Sequence, residues 1–379
     1  MDWSLTLGTV LGIKIRIHVT FLLIILWAGY NWGILLRRGW SGALYGIALT
    51  VTIFLCVVLH ELAHSLVATL CGVRVREIEL SPIGGLAKMD SMPKKAYQEF
   101  VMALVGPLVN LIIAVPLGGL VLLLIGSRSI RSIGHLIYVM TVPSWKGFIL
   151  NLFATNVLLA IFNLLPAFPM DGGRLLRSAL SWGIGHRQAT RWAARVGQGL
   201  AAIMAVAGLL TGNLILVLIG LFVFVGAQQE ERLTELQTVL SSLAVSQALI
   251  TPCPTLSADE TLHTALERAM RGDAAPFAVV EAGRLVGLLT SRDITSALQT
   301  YGPGVRAGDV MRTEFPTLSL TDTLVHARQL MATTGLPALP VAQDGRLLGM
   351  VTARQIYEIH ALLTAQQRGK VAEIRSSSK

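Results

Sequence analysis

Charged residues are scarce in this chain. Asp, Glu, Lys and Arg make up 14% of its 379 residues, whereas 53% are hydrophobic and the mean hydropathy is +0.63. A soluble domain carries about 25% charged residues, so this composition excludes an ordinary soluble protein. It predicts an integral membrane protein, surrounded by the lipid bilayer.

Cysteine is rare as well. The three residues Cys56, Cys71 and Cys253 form no Cys-x-x-Cys pair, which excludes a disulfide framework and a cysteine-based metal site. Cys56 lies one turn before His60, and a ligand role there is the less favoured alternative to a buried thiol. The first residues also lack a basic stretch followed by an apolar core and a cleavage site, so we expect no cleaved signal peptide.

Acidic residues are particularly few in the first 228 residues, which hold 7 acidic and 17 basic residues. The remainder of the chain holds 15 acidic and 14 basic residues. Because the basic excess accompanies the apolar segments, we expect it to set membrane orientation and predict no nucleic-acid partner. A cytoplasmic N-terminus places 12 of the 17 basic residues inside. The chain is therefore predicted to lie in the cell membrane with both termini cytoplasmic.

The apolar segments predict about six membrane spans. They cover residues 18–36, 43–70, 98–125, 147–165 and 196–226, the last divided at Thr211-Gly212-Asn213 into a helical hairpin. Alternating residues predict a strand or interfacial segment over 1–17 and a hairpin or small sheet over 72–97. The fold class is thus a multi-pass α-helical membrane protein.

The second of these spans contains the sequence His-Glu-Leu-Ala-His. On a helix, His60 and His64 share one face and can bind one metal ion, with Glu61 beside them as a general base. Such a motif on a soluble helix is usually a solvated face. At membrane depth three unpaired polar groups are costly, so the pattern indicates a catalytic zinc site.

A catalytic zinc ion takes three protein ligands, and two are given by the motif. Six further side chains in the membrane half are candidates for the third: His18, Asp90, Glu99, His135, Asp171 and His186. Asp171 is favoured because it follows the fourth span and precedes Gly172-Gly173, where the backbone can approach closely. An N-cap role for Asp171 explains the spacing equally well, so the spacing leaves the choice open.

Four motifs together resemble the site-two protease family of intramembrane zinc metalloproteases. They are the His-Glu-Leu-Ala-His helix, a Gly-Gly loop, Ala103-Leu104-Val105-Gly106-Pro107, and Asn163-Leu164-Leu165-Pro166 running to Asp171-Gly172. The resemblance covers residues 1–228. It implies that His60, His64 and Asp171 hold zinc, that Glu61 is the general base, and that Asn163 contacts the substrate. A helix–helix hydrogen bond is the alternative role for Asn163. Leu164 departs from the proline that follows this asparagine in some members.

Cutting a transmembrane helix requires a partner for its unwound backbone. We expect residues 83–89, around Gly84 and Gly85, to bind the substrate as an added strand. The alternative is that the two glycines only make a turn.

After residue 228 the composition becomes soluble and a repeat appears with an offset of 62 residues, from Gly287 to Gly349. It resembles a tandem of CBS domains, an α+β fold that commonly binds adenine nucleotides (ATP, ADP or AMP) and can form homodimers. The resemblance assigns ribose binding to Thr290 and Asp293; the second repeat has Gln355 instead of an acid, so one site is implied. The predicted boundaries are a linker at 229–245, CBS domains at 246–301 and 302–363, and a flexible tail at 364–379.

The sequence therefore predicts a zinc metalloendopeptidase that cuts transmembrane segments of other proteins and is regulated through its CBS pair. A CBS-regulated metal-ion transporter is the main alternative. An inactive scaffold is a second one, disfavoured because a scaffold has no need of the complete His, Glu, His and Asp set.

Overall fold

The computed structural model describes residues 3–82, 84–89, 95–126, 133–270, 276–359 and 361–362. The chain divides into two units, Met1–Arg232 and Leu233–Lys379. The predicted tail at 364–379 lies outside the described residues.

The first unit consists of helices and one small sheet. Its strands are β1 (Ser4–Val10), β2 (Ile13–His18), β3 (Val75–Ser81) and β4 (Gly84–Met89). Its helices are α1 (Phe21–Tyr30), α2 (Gly39–Leu70), α3 (Ala96–Ile125), α4 (Ile133–Thr141), α5 (Trp145–Leu164), α6 (Asp171–Ile184), α7 (His186–Thr211) and α8 (Leu214–Ser241).

Five helices of the described chain are long and apolar enough to cross a membrane: α2, α3, α5, α7 and α8. The multi-pass prediction is confirmed by these five. The predicted first span, 18–36, is shorter in the structure, because β2 extends to His18 and the helical segment runs over Phe21–Leu35 as α1 and a π-helical turn, Asn31–Leu35. Arg37, at positive φ, lies between this segment and α2, whose first residue, Gly39, also has a positive φ.

Helices α7 and α8 form the predicted hairpin, with Gly212 in the left-handed conformation between them. The two helices extend beyond the ends of the apolar block at 196–226. Helix α7 begins ten residues earlier, and α8 continues through most of the segment predicted as a linker. These extensions alternate polar and apolar residues at helical spacing, a pattern that hydropathy alone does not detect. Helix α4 was not predicted.

The small sheet has the order β1-β2-β3-β4, with β2 and β3 parallel and the other pairs antiparallel. One face is apolar and contributes Ile13, Ile15 and Ile78 to buried clusters that also contain residues of α2. The other face carries charge: Arg16 pairs with Glu77 at 3.2 Å. This alternation is why residues 13–18 and 75–81 form strands, and it seats the sheet on α2.

The second unit contains a five-stranded sheet with the order β5-β6-β7-β9-β8. Its strands are β5 (Thr255–Ser257), β6 (Phe277–Glu281), β7 (Arg284–Leu289), β8 (Ala338–Gln343) and β9 (Arg346–Thr352), and its helices are α9 (Leu262–Met270), α10 (Ser291–Tyr301), α11 (Ala307–Val310) and α12 (Leu324–Thr334). Each repeat contributes an antiparallel hairpin, β6–β7 and β8–β9, and one β7–β9 pair joins them. This is the paired arrangement that the sequence repeat predicts.

Candidate metal centre

His60, Glu61 and His64 lie on α2, ten to six residues before its end. His60 and His64 are only 6% and 7% exposed. Because they are four residues apart, both imidazoles project from the same face, and their Nε2 atoms are 3.1 Å apart.

Asp171 is the first residue of α6, and Met170 is the N-cap. The N-cap alternative for Asp171 is therefore not what the structure shows. The two following glycines allow the helix to start here: a Cβ on Gly172 would overlap the carbonyl oxygens of Leu164 and Leu165, and one on Gly173 would lie 2.7 Å from the backbone nitrogen of Phe168. Backbone packed on backbone thus fixes the position of Asp171.

The Oδ2 atom of Asp171 lies 3.1 Å from Nε2 of His64 and 3.3 Å from Nε2 of His60. Ligands at about 2.0 Å from a tetrahedral zinc ion are separated by about 3.3 Å, so the three atoms have the spacing of one face of a zinc tetrahedron. Among the described residues, they form the one group of three or more His, Cys, Asp and Glu side chains with such convergent atoms. The donor set of two imidazoles and a carboxylate is typical of a catalytic zinc ion.

Helix α3 supports the two histidines. The Met102 carbonyl oxygen accepts a hydrogen bond from Nδ1 of His64 at 2.6 Å. Gly106, one turn further along α3, lies against both imidazoles: a Cβ there would overlap Nε2 of His64 and would lie 2.7 Å from Cε1 of His60. Helix α3 can approach this closely because residue 106 has no side chain.

Glu61 faces strand β4. A Cβ on Gly85 would lie 2.6 Å from Cγ of Glu61 and 3.3 Å from Val57, and the backbone of Ala87 donates a hydrogen bond to the carboxylate. Strand β4 is at the edge of the sheet. The catalytic carboxylate implied by the resemblance therefore lies directly beneath an edge strand.

The remaining candidates in the membrane half lie away from this cluster or have other partners. Asn163 is half-buried, one residue before the end of α5. Glu99 pairs with Arg177, His18 contacts Thr20 with Nδ1 at 2.7 Å from Oγ1, and Cys56 accepts a hydrogen bond from Asn156 at 3.5 Å. His135 and His186 are exposed. Asp90 and Ile83 lie outside the described residues.

In the second unit, Thr290 and Asp293 form a capping box at the start of α10. Arg312 also donates to Asp293, with Nη2 2.8 Å from Oδ1 and Nε 2.9 Å from Oδ2. Burial alone would raise the pKa of the Asp293 carboxyl, but the hydrogen bonds from Arg312 and Thr290 outweigh it and hold the pKa below its ordinary value.

Three residues that were assigned no functional role from the sequence contribute to the surroundings of the metal cluster: Met102, Gly106 and Arg177. Gly106 belonged to a motif that carried the resemblance, but its contact with the imidazoles depends on how α2 and α3 pack. The only indication of a functional role for Arg177 in the sequence was that it is a charged residue in a membrane domain.

Comparison with known proteins agrees with this geometry. Peptidase family M50 matches residues 48–206, and the CBS domain family matches 245–300 and 307–361. The zinc metalloprotease MJ0392 of Methanocaldococcus jannaschii is 34% identical over 374 residues, covering 98% of this chain and 100% of that protein. The CBS domain-containing protein YhcV of Bacillus subtilis is 34% identical over 112 residues, covering 28% of this chain and 79% of its own.

A solved structure of the site-2 protease from Methanocaldococcus jannaschii is 38% identical, covers 60% of this chain and 95% of its own, and superposes with a TM-score of 0.42. The long apolar helices, the convergent His-His-Asp cluster and the full-length similarity to MJ0392 define a membrane-embedded zinc metalloprotease. The chain belongs to Peptidase family M50, the site-2 proteases, and carries a tandem of CBS domains behind the protease domain.

Proposed function

We propose that this zinc metalloprotease cuts peptide bonds within or beside the transmembrane segments of substrate proteins, with His60, His64 and Asp171 as its zinc ligands and Glu61 as its general base. The observation that carries the proposal is the convergence of the three ligand atoms beside Glu61 on a helix long enough to span the membrane. Peptide hydrolysis at that depth implies substrates that are themselves in the membrane.

His60, His64 and Asp171 would hold the zinc ion, which would supply polarisation of the scissile carbonyl and a more acidic water. The Glu61 carboxylate then accepts a proton from the attacking water and passes it to the leaving nitrogen. Its position supports this role, because Gly85 confines the side chain to the space beside His60 and His64. Asn163, in the same proposal, donates to the developing oxyanion from the end of α5.

Strand β4 is proposed to hold the substrate in extended form. It is the edge strand of its sheet, and Gly85 brings its backbone over Glu61. An unwound substrate that adds to this edge has its freed amides paired and its backbone next to the general base. Substrate peptides with single N-methylated amides are expected to lose cleavage at alternate positions near the cut, whereas equal cleavage of all of them would contradict strand addition.

The sheet also supports the proposed orientation. Strand β2 leads into α1 and strand β3 follows α2, and the two strands are hydrogen-bonded neighbours, so the start of α1 and the end of α2 both adjoin this sheet. In this proposal the segment 21–35 crosses the membrane in one direction and α2 crosses it in the other. With the four remaining long helices the chain then crosses the membrane six times. An even number places both termini on one side, which the distribution of basic residues indicates is the cytoplasm.

We further propose that the CBS pair binds an adenine nucleotide through Thr290 and Asp293. A ribose at this carboxylate would take the place of Arg312. Titration of the full chain with AMP, ADP and ATP is expected to show binding that Asp293→Asn weakens and that Asp344→Asn, on an exposed turn, does not. Nucleotides that change neither binding nor proteolysis would contradict this.

The central test is Glu61→Gln in proteoliposomes that contain a labelled transmembrane peptide. The amide no longer accepts a proton, so we expect cleavage to be lost while bound zinc is retained. Glu231→Gln, the same chemical change in the C-terminal half of α8, is the matched control. Metal flux in the same vesicles tests the transporter alternative. Cleavage that survives Glu61→Gln, or metal flux that depends on Glu61, would overturn the proposed protease mechanism.

A further inference from the structure

A buried arginine connects the elements around the metal cluster. Arg177, on the second turn of α6, is 3% exposed. Its Nε donates to Oε1 of Glu99 on α3 at 2.8 Å, Nη2 contacts the same oxygen, and Nη1 donates to Oε1 of Glu230 on α8 at 2.6 Å. One guanidinium group thus joins three helices.

The same guanidinium group also reaches the loop that leads to Asp171. Its central carbon lies 5.0 Å from the centroid of the Phe168 ring, which is 1% exposed. A cation over an aromatic face is attracted to it. Arg177 therefore also contacts the segment that immediately precedes its own helix.

Two of the three helices that Arg177 joins, α6 and α3, also lie at the metal cluster. Helix α6 supplies Asp171, six residues or about 9 Å before Arg177. Helix α3 supports His64 through Met102 and lies against both imidazoles at Gly106, seven residues or about 10 Å after Glu99. Helices α3 and α6 are thus connected at two points, the ion pair and the metal cluster. The two points are about the same distance apart along each helix.

We propose that Arg177 is a positioning residue for the zinc site: by bridging Glu99 and Glu230 it holds α6 so that Asp171 completes the ligand set. The inference rests on the proposed ligand role of Asp171. Arginine suits the task because its planar fork serves two carboxylates at once, whereas a lysine ammonium is a single point of charge. The contact with Glu230 makes the position of Asp171 depend on α8 as well.

The test compares zinc affinity in the full chain, purified in detergent, by competition with a chelator. Arg177→Met removes the bridge, and Arg177→Lys keeps the charge but not the fork. Changing an outer partner of a metal site lowers metal affinity by on the order of 10- to 100-fold, so we expect a loss of that size for Met and a smaller one for Lys. Arg191→Met is the matched control, because Arg191 on α7 lies 3.9 Å from Glu231 on α8 and is outside this cluster.

The visible spectrum of the Co²⁺-substituted protein is the second readout, since it reports ligand geometry independently of activity. We expect Arg177→Met to change it and Arg191→Met to leave it as in the wild type. Glu230→Gln is the milder variant if Arg177→Met does not fold: it retains an acceptor but loses the charge, and it is expected to lower zinc affinity in the same direction.

A lower melting temperature of the metal-free protein with unchanged zinc affinity and an unchanged Co²⁺ spectrum would overturn the inference, because it would make Arg177 merely structural. Asp171→Asn separates this failure from that of the proposed function. If Asp171→Asn lowers zinc affinity and Arg177→Met does not, only the positioning role is wrong. If Asp171→Asn also has no effect, the proposed ligand set is wrong.

Discussion

The Nδ1 atom of His64 donates a hydrogen bond to the Met102 carbonyl oxygen at 2.6 Å. A carbonyl oxygen can only accept, so Nδ1 carries the proton and Nε2 presents its lone pair toward His60 and Asp171. Helix α3 thereby selects the tautomer that metal binding requires and fixes the orientation of the ring. The histidine motif on α2 is completed by a backbone atom of a different helix.

Gly106→Ala is expected to abolish zinc binding. Its methyl group would overlap Nε2 of His64 and lie 2.7 Å from Cε1 of His60, so one of the rings or α3 must move. Zinc content after dialysis measures the effect. Gly119→Ala on the same helix is the control, because nothing lies within 4 Å of that position; equal zinc content in the two variants would contradict the prediction.

Gly85→Ala is expected to reduce cleavage while zinc remains bound. The added methyl group lies 2.6 Å from Cγ of Glu61, so the carboxylate is displaced while the ligand residues are not touched. Cleavage rate and zinc content are measured on the same preparation. Gly8→Ala, in β1 of the same sheet, has open space around it and should behave as the wild type. A Gly85→Ala protein that loses zinc would show that the strand supports the ligands instead.

The ion pair of Asp293 makes the stability of the second unit depend on pH. Because its folded pKa is below the ordinary value, ionised Asp293 stabilises the fold above about pH 4, and this contribution is lost as the pH falls through the folded pKa. Calorimetry of the full chain should show a lower melting temperature for Asp293→Asn at pH 7 and a difference that shrinks below about pH 4. A difference that widens in acid would have the wrong sign.

Lys88 lies on the charged face of the small sheet, with Nζ 2.9 Å from Glu77 and 2.6 Å from Glu79. Its side chain is 44% exposed, so solvent screens both pairs. Lys88→Met is expected to lower the free energy of unfolding by at most about 1 kcal/mol. The difference should disappear at high salt; a larger, salt-independent loss would show that Lys88 packs as part of the core.

Hydropathy was sufficient to predict α2, α3, α5 and the hairpin of α7 and α8, because long apolar runs have few alternatives in a membrane. It was not sufficient where a helix is amphipathic, as in the first ten residues of α7. The parallel pairing of β2 with β3 could not be predicted either, since it joins residues 63 positions apart in the sequence. For the site, the spacing of His60 and His64 placed both on one face of α2, but the approach of Met102 and Gly106 depends on packing between helices that local sequence does not encode.

The parallel pairing of β2 with β3 has a consequence for biosynthesis. Strand β2 emerges from the ribosome early but cannot pair with β3 until α1 and α2 have both entered the bilayer and residues 75–81 have been made. Closing a loop of this length comes late in folding. The edge strand β4 follows α1 and α2 in the chain, so the strand proposed to hold a substrate does not yet exist while these first two apolar segments pass through the translocation machinery.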